Sequence, residues 1–185
     1  MQARDIPNVL SILRIFLSIP VVWMLLQHNF GIALILFAVA GITDGLDGYL
    51  AKHYGWKSRL GGLLDPLADK ILLVFCVLSL GWLGLLPAWL VFIIILRDLV
   101  IVTGAFVYNF QVAELDAAPT WISKINTVIQ IVLVLAVVLD KGLISVPLLF
   151  LQGLIWLTLI TTVWSGLNYV VVWSRRAANI NKEAE

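Results

Sequence analysis

Residues 44–69 read DGLDGYLAKHYGWKSRLGGLLDPLAD, a stretch that places four aspartates in two otherwise apolar segments. Asp44 and Asp47 are three residues apart, so they share one face of a helix. Asp65 and Asp69 are four apart and share a face of the next helix. Two adjacent antiparallel helices can therefore direct four carboxylates to one place. Such a cluster cannot ionise fully in a low-dielectric setting without compensating cations, so the spacing predicts a metal site.

The composition of the whole chain sets the environment of this cluster. Of 185 residues, 62% are hydrophobic and 12% are charged, and the mean hydropathy is +1.03. A soluble domain is nearer half apolar and a quarter charged, so lipid must cover much of this surface. The net charge of +1 gives no support for nucleic-acid binding. A single cysteine, Cys76, excludes an internal disulfide.

The apolar segments predict an all-α integral membrane protein with six transmembrane helices, each close to the length that a bilayer requires. A short juxtamembrane segment, Ile6–Leu10, is expected to turn the chain along the membrane surface into the first span. No repeat or soluble domain is apparent, so residues 1–185 are interpreted as a single domain. The predicted spans are Ser11–His28, Phe30–Lys52, Gly61–Trp82, Leu86–Phe110, Pro119–Leu139 and Val146–Trp173.

Basic residues predict the orientation. With both termini inside, the inner segments hold most of the lysines and arginines, whereas the outer connections hold Lys141 alone. The aspartate cluster then faces the cytoplasm. The start of the chain lacks a convincing cleavable signal or transit peptide, so we expect a bacterial inner membrane, with a processed mitochondrial protein as the alternative.

Oxygen ligands indicate which metal the cluster binds. Hard carboxylates favour magnesium, manganese or calcium over zinc, and neither histidine nor Cys76 lies in the cluster. Gly48 and Gly61 share the aspartate faces and allow a bulky ligand to approach the backbone. A diphosphate held by metal ions fits this combination. The alternative is that the aspartates pair with basic residues, for which the candidates are Lys52, Lys70, Arg97 and Lys124.

The string D-x2-D-G-x2-A-K-x8-G-x3-D-x3-D resembles the signature of the CDP-alcohol phosphotransferase family, D-x2-D-G-x2-A-R-x8-G-x3-D-x3-D. Seven of the eight fixed positions match, and Lys52 replaces the arginine. Lysine keeps the charge but loses the bidentate fork of arginine. The resemblance extends to the whole chain, because the family core has six membrane helices and is typically a homodimer.

The resemblance implies a role for each matching residue. Asp44, Asp47 and Asp65 would bind metal, with Mg²⁺ or Mn²⁺ in a two-ion site, and Asp69 would complete the second ion's shell and act as the general base. The remaining matches would line the cytidine diphosphate pocket: Gly48, Ala51, Lys52 and Gly61. The implied reaction transfers a phosphatidyl group from CDP-diacylglycerol to an alcohol and releases CMP.

Residues outside the signature resemble the branch that makes acidic phospholipids. Ile6-Pro7-Asn8 followed by Arg14 is similar to phosphatidylglycerophosphate synthases and cardiolipin synthases, which makes Asn8 and Arg14 candidates for a further phosphate contact. Arg97, Lys124 and Asn126 are the predicted acceptor-binding residues. Residues 119–127, PTWISKINT, resemble cardiolipin synthases, whereas phosphatidylglycerophosphate synthases commonly have Gly-Lys-x-Lys-Thr there.

The charge of the acceptor favours one branch. Glycerol-3-phosphate carries a doubly charged phosphate suited to two lysines, whereas phosphatidylglycerol carries a singly charged phosphodiester. Asn126 in place of a lysine therefore favours phosphatidylglycerol as acceptor and cardiolipin as product, with glycerol-3-phosphate as the alternative. Asn126 could instead pack or cap locally.

Two other classes of protein remain as alternatives. Buried aspartates also mark ion pathways, so an ion-coupled transporter is the main rival; against it, the chain lacks repeated halves with broken helices. A structural or inactive family member is the third interpretation.

Overall fold

The computed structural model describes residues 6–54, 61–111 and 121–183. Side chains are described for residues 9–46, 53–54, 68–104 and 121–171. All secondary structure in the described ranges is helical, in agreement with the all-α prediction. The six helices are α1 (Ile6–Leu26), α2 (Phe30–His53), α3 (Gly61–Trp82), α4 (Ala88–Gln111), α5 (Trp121–Gly142) and α6 (Leu148–Glu183).

Most helix boundaries lie within three residues of the predicted spans, and the two larger differences are at the ends of the chain. Helix α1 begins at Ile6, so no turn separates Ile6–Leu10 from the first span, and that prediction was wrong. Pro7 causes no break because it lies in the first helical turn, where its missing N–H is not needed. Helix α6 continues to Glu183, because its polar end is rich in residues that form helices well.

Three of the described helices are long and apolar enough to cross a membrane: Val9–Leu26, Trp121–Gly142 and Leu148–Val171. Their windows are only 28%, 44% and 22% buried, so most of their residues are at least partly exposed. This exposed apolar surface is that of an integral membrane protein. Helix α2 contributes a shorter apolar stretch, Phe30–Leu46. Whether the other three helices also cross the membrane stays a prediction.

The first compact unit consists of α1, α2 and α3 together with Val134–Pro147. Helix α1 packs against both α2 and α3, and its core includes Val21, Leu25 and Leu80, each at most 1% exposed. Asp140, in the last turn of α5, fixes the connection that follows the helix: its Oδ1 accepts a 2.9 Å hydrogen bond from the Val146 amide. The unit therefore presents one central helix, α1, with α2 and α3 against it.

The second compact unit consists of α4, α6 and the part of α5 up to Leu133. Helix α4 packs against α6. Leu90, Ile94 and Leu133 are at most 1% exposed and form its apolar interior. Near the start of α5 and the middle of α6, the interior is polar instead. Asn126, Thr158 and Ser165 are all fully buried there. Buried polar groups are costly inside a membrane protein, so this polar interior marks a place for function.

Candidate active site

Arg14 joins two of the predicted metal-binding aspartates in the first unit. Its Nη1 lies 2.7 Å from Asp44 Oδ1 and also donates to Asp69 Oδ1. The three residues come from three helices, so the packing of α1 on α2 and α3 brings the carboxylates together. The sequence predicted the convergence of Asp44 and Asp69; it did not predict that Arg14 lies between them.

The burial of this triad is uneven. The Arg14 side chain is only 1% exposed, whereas the side chains of Asp44 and Asp69 are each 43% exposed. The guanidinium therefore lies beneath the carboxylates and holds them in a fixed position, while their outer sides remain accessible. Charge-assisted hydrogen bonds of this kind orient a carboxylate more firmly than neutral ones.

The donor set of the triad fits a divalent cation. Two aspartates against one arginine leave a net negative charge, and carboxylate oxygens are the ligands that Mg²⁺ and Mn²⁺ prefer. Among the described residues, no three acidic, histidine or cysteine side chains lie close enough together to hold a metal ion. Asp47 and Asp65 could complete the set; their backbones are helical, but their side chains lie outside the described range.

Several other predicted residues fall outside the described side chains, so their roles stay predictions. Asn8 precedes the described side chains of α1, and the predicted cytidine diphosphate pocket lies wholly in the part of α2 and α3 whose side chains are not described. The residues of that pocket are Gly48, Ala51, Lys52 and Gly61.

Arg97 is the centre of a polar cluster in the second unit. It is 6% exposed, and its Nη1 donates to Asp98 Oδ1 at 2.9 Å. Its Nη2 donates to Ser123 Oγ at 2.7 Å and also to Ser165 Oγ. The guanidinium carbon lies 5.9 Å from the centre of the Tyr169 ring. Three helices therefore hold Arg97, whose ion pair is with Asp98 on its own helix.

Asn126 lies one turn beyond Ser123 on the same face of α5 and is fully buried. Its Oδ1 accepts hydrogen bonds from the hydroxyls of Thr161 and Thr162 on α6, both at 2.9 Å. Gln130, one further turn along, donates from Nε2 to Thr162 Oγ1 at 3.5 Å. The predicted acceptor residue Asn126 thus belongs to a polar line between α5 and α6 that begins at Arg97.

Lys124 does not join this line. It is exposed, and its ammonium lies 5.3 Å from the centre of the Trp121 ring on the same helix. Of the three predicted acceptor residues, the structure therefore places Arg97 and Asn126 in one polar interior, whereas Lys124 is exposed beside Trp121.

The hydroxyl residues that surround Arg97 and Asn126 were not predicted from the sequence. A helical spacing was available as a signal, because Ser123, Asn126 and Gln130 follow an i, i+3, i+7 pattern on α5. A similar pattern recurs on α6. Its members are Thr158, Thr162, Ser165 and Tyr169.

Comparison with known proteins decides the family. The family model for CDP-alcohol phosphatidyltransferase matches residues 4–164, which is most of the chain. The chain belongs to the CDP-alcohol phosphatidyltransferase family. This confirms the resemblance carried by residues 44–69 and, at the level of the family, the predicted class of enzyme.

Relatives of two kinds match this family member. It is 36% identical over 180 residues to a cardiolipin synthase (CMP-forming) of Rattus norvegicus, covering 89% of this chain and 60% of that protein. It is 31% identical over 196 residues to a probable phosphatidylglycerophosphate synthase of Mycobacterium tuberculosis, covering 99% of this chain and 88% of that protein. A CDP-diacylglycerol–glycerol-3-phosphate 3-phosphatidyltransferase of Bacillus subtilis is 38% identical over 138 residues, or 73% of this chain and 69% of the relative. The chain thus spans about three fifths of the length of the animal relatives that it matches.

Proposed function

We propose that this protein transfers a phosphatidyl group from CDP-diacylglycerol to a hydroxyl of a glycerol-type acceptor, with release of CMP. The observation that carries the proposal is the convergence of Asp44 and Asp69 on Arg14. The two carboxylates are the first and last aspartates of the family signature, and they come together from helices α2 and α3. The names of the relatives support the class of donor and acceptor.

The reaction forms one oxygen–phosphorus bond and breaks another. The acceptor hydroxyl attacks the phosphorus that bears the diacylglycerol, and the bond from that phosphorus to CMP breaks. Asp69 accepts the hydroxyl proton, and Arg14 keeps its carboxylate oriented through the hydrogen bond at Oδ1. Positioning of this kind accounts for much of the catalysis in phosphoryl transfer.

Metal dependence is part of the proposal. Asp44, Asp47, Asp65 and Asp69 would hold Mg²⁺ or Mn²⁺, in a site for two ions. When bound, the divalent cations supply charge neutralisation at the diphosphate. The net negative charge of the Arg14 triad and the accessibility of its two carboxylates support this assignment.

We propose phosphatidylglycerol as the acceptor and cardiolipin as the product. Asp98 neutralises Arg97, and Lys124 is exposed and contacts Trp121 instead, so the buried acceptor cluster carries little net positive charge. A singly charged phosphodiester suits such a cluster better than a doubly charged phosphate. Glycerol-3-phosphate is the second candidate, because relatives named as phosphatidylglycerophosphate synthases match this chain as well.

The proposal extends to the setting of the enzyme. We place it in a bacterial inner membrane, with a mitochondrial membrane as the alternative, and the distribution of basic residues supports aspartates that face the cytoplasm. We also propose six membrane spans and a homodimer, as the family resemblance implies.

The test is an assay of the purified protein in detergent with CDP-diacylglycerol and Mg²⁺ or Mn²⁺. Phosphatidylglycerol and glycerol-3-phosphate are offered separately, and CMP and the lipid product are measured. We expect CMP release and cardiolipin from phosphatidylglycerol. Phosphatidylglycerophosphate as the main product would keep the family reaction and reject the acceptor, whereas folded protein that releases no CMP with either acceptor would reject the proposed function.

Asn126→Lys tests the acceptor assignment in the same assay. An added positive charge should shift the preference toward glycerol-3-phosphate by about tenfold, the effect of one charge-assisted contact. An unchanged ratio of the two acceptors would show that position 126 does not contribute to the choice between them.

A further inference from the structure

The polar line between α5 and α6 contains buried groups that the fold leaves without hydrogen bonds. Among the described residues, Asn126 Nδ2, Gln130 Oε1 and Thr158 Oγ1 have no partner. Each of the three side chains is at most 1% exposed. An unsatisfied buried polar atom is destabilising, and more so within a membrane. A purely structural role would be served better by apolar side chains of the same size.

The mixture of donor and acceptor atoms indicates the chemistry of a ligand. Asn126 Nδ2 can only donate, Gln130 Oε1 can only accept, and the Thr158 hydroxyl can do either. A phosphate or carboxylate would leave Gln130 Oε1 unsatisfied, and an ammonium would leave Asn126 Nδ2 unsatisfied. A hydroxyl group both donates and accepts, so it can pair with either kind of atom.

The position of these atoms relates them to Arg97. Asn126 and Gln130 lie about 4.5 and 10.5 Å along α5 from Ser123, whose Oγ contacts Arg97. Arg97 Nε also has no partner among the residues that the structure describes. In a phosphorylated glycerol, the phosphorus and the 2-hydroxyl oxygen are about 5 Å apart, from four bonds of ordinary length. The rise from Ser123 to Asn126 is therefore similar in length to the separation of the phosphate and the 2-hydroxyl in such an acceptor.

We infer that Asn126, Gln130 and Thr158 form a hydroxyl-binding site for the acceptor, which takes the glycerol hydroxyl that does not react. The inference rests on the proposed function and specifies its substrate: the acceptor must carry a second hydroxyl beside the attacking one. Binding replaces the hydrogen bond from Gln130 Nε2 to Thr162 Oγ1. At 3.5 Å, that bond is longer than an ordinary N–H···O bond and is the easiest of this line to open.

The experiment compares acceptors with and without the second hydroxyl. One pair is glycerol-3-phosphate and 3-hydroxypropyl phosphate; the other is phosphatidylglycerol and phosphatidyl-1,3-propanediol. We expect the wild-type enzyme to favour the glycerol acceptor by at least about tenfold in kcat/KM, because a site built for a hydroxyl rejects an analogue that lacks it. Equal use of both members of each pair would overturn the inference. Bound water, and not the acceptor, would then satisfy these atoms.

Gln130→Leu and Thr158→Val separate binding from structure. Both should bring the ratio of glycerol to deoxy acceptor to within about twofold of one, and both should keep or raise Tm, because they remove unsatisfied buried atoms. Gln152→Leu is the matched control at an exposed position of α6, and it should leave the ratio unchanged. A fall in Tm with the preference retained would show that the line is structural and overturn the inference.

The failure of the site and the failure of the proposed function give different results. CMP release from phosphatidylglycerol reports on the function, whatever the ratio of acceptors. If no acceptor supports CMP release, the hydroxyl site is tested by the rise in Tm that glycerol-3-phosphate and 3-hydroxypropyl phosphate each cause. A larger rise in Tm with glycerol-3-phosphate supports the hydroxyl site, and equal rises overturn it.

Discussion

The two polar regions of this protein are built in opposite ways. In the α1–α2–α3 unit, a buried arginine lies beneath two carboxylates that are each 43% exposed. In the α4–α6 unit, Arg97 and its hydroxyl partners are all buried, and Asp98 neutralises the charge. The first arrangement leaves net charge accessible, as ionic chemistry requires. The second satisfies most hydrogen bonds internally and leaves a few specific atoms open, which suits recognition of an uncharged group.

This contrast teaches that burial alone does not identify the reacting groups. The carboxylates proposed for catalysis are the less buried of the two sets, whereas the most deeply buried polar groups are those proposed for recognition. A buried charge pair with no open side contributes mainly to position, because its charges already compensate each other. We therefore expect substitutions in the first region to lower kcat and substitutions in the second to change KM or preference.

The largest expected effect is that of Asp69→Asn. Loss of a general base costs about 10²–10⁴-fold, so CMP release should fall about 1,000-fold in kcat with Tm little changed. Asp140→Asn is the matched control, because Asp140 lies in the last turn of α5 and the amide oxygen of asparagine can still accept from the Val146 N–H. If Asp69→Asn kept activity within tenfold of the wild type, Asp69 would not be the general base. The assignment of catalysis to the first region would then be rejected.

Asp98→Asn sharpens the comparison in the second region. Removing the carboxylate leaves Arg97 without its 2.9 Å ion pair and adds net positive charge to the acceptor cluster. We expect use of glycerol-3-phosphate relative to phosphatidylglycerol to rise about tenfold in kcat/KM, because the doubly charged phosphate gains more from the added charge. Parallel assays with the two acceptors measure this ratio. A uniform loss with both acceptors would instead assign Asp98 a structural role.

Ser165→Ala should have the smallest effect. It removes one of the two hydroxyls that hold Arg97 Nη2, while the Ser123 contact at 2.7 Å remains. We expect KM for the acceptor to rise about three- to tenfold with kcat unchanged, which is less than a whole hydrogen bond to a charged group because the Ser123 contact still holds Nη2. Ser165→Thr retains a hydroxyl and should restore KM. Equal losses in the alanine and threonine variants would indicate a packing defect.

Much of the fold could be predicted from the sequence because its determinants are local. The predicted starts of α2 and α3, at Phe30 and Gly61, coincide with those of the structure. The polar continuation of α6 to Glu183 was missed, because the prediction counted apolar length and helix formation also proceeds in polar segments. The spacing of Asp44 and Asp69 within a fixed signature likewise predicted that they share a site.

The partners of the two buried arginines could not be predicted in this way. Arg14 contacts Asp69, 55 residues away, and Arg97 contacts Ser165, 68 residues away. Contacts between helices depend on how side chains pack across them, and no spacing along the chain encodes that packing. Lys124 is a different case: it precedes Asn126 by two residues, so the spacing alone already places the two side chains on different faces of α5.

The sequence by itself determined that this is a helical membrane protein, which family signature it carries and which aspartates belong together, since helical periodicity and apolar length are properties of neighbouring residues. Only the tertiary structure decided three things: that Arg14 lies beneath those aspartates, that Asp98 neutralises Arg97, and that a polar line joins α5 to α6. The physical reason is that these contacts join residues distant in the chain, and only packing between helices brings them within hydrogen-bonding distance.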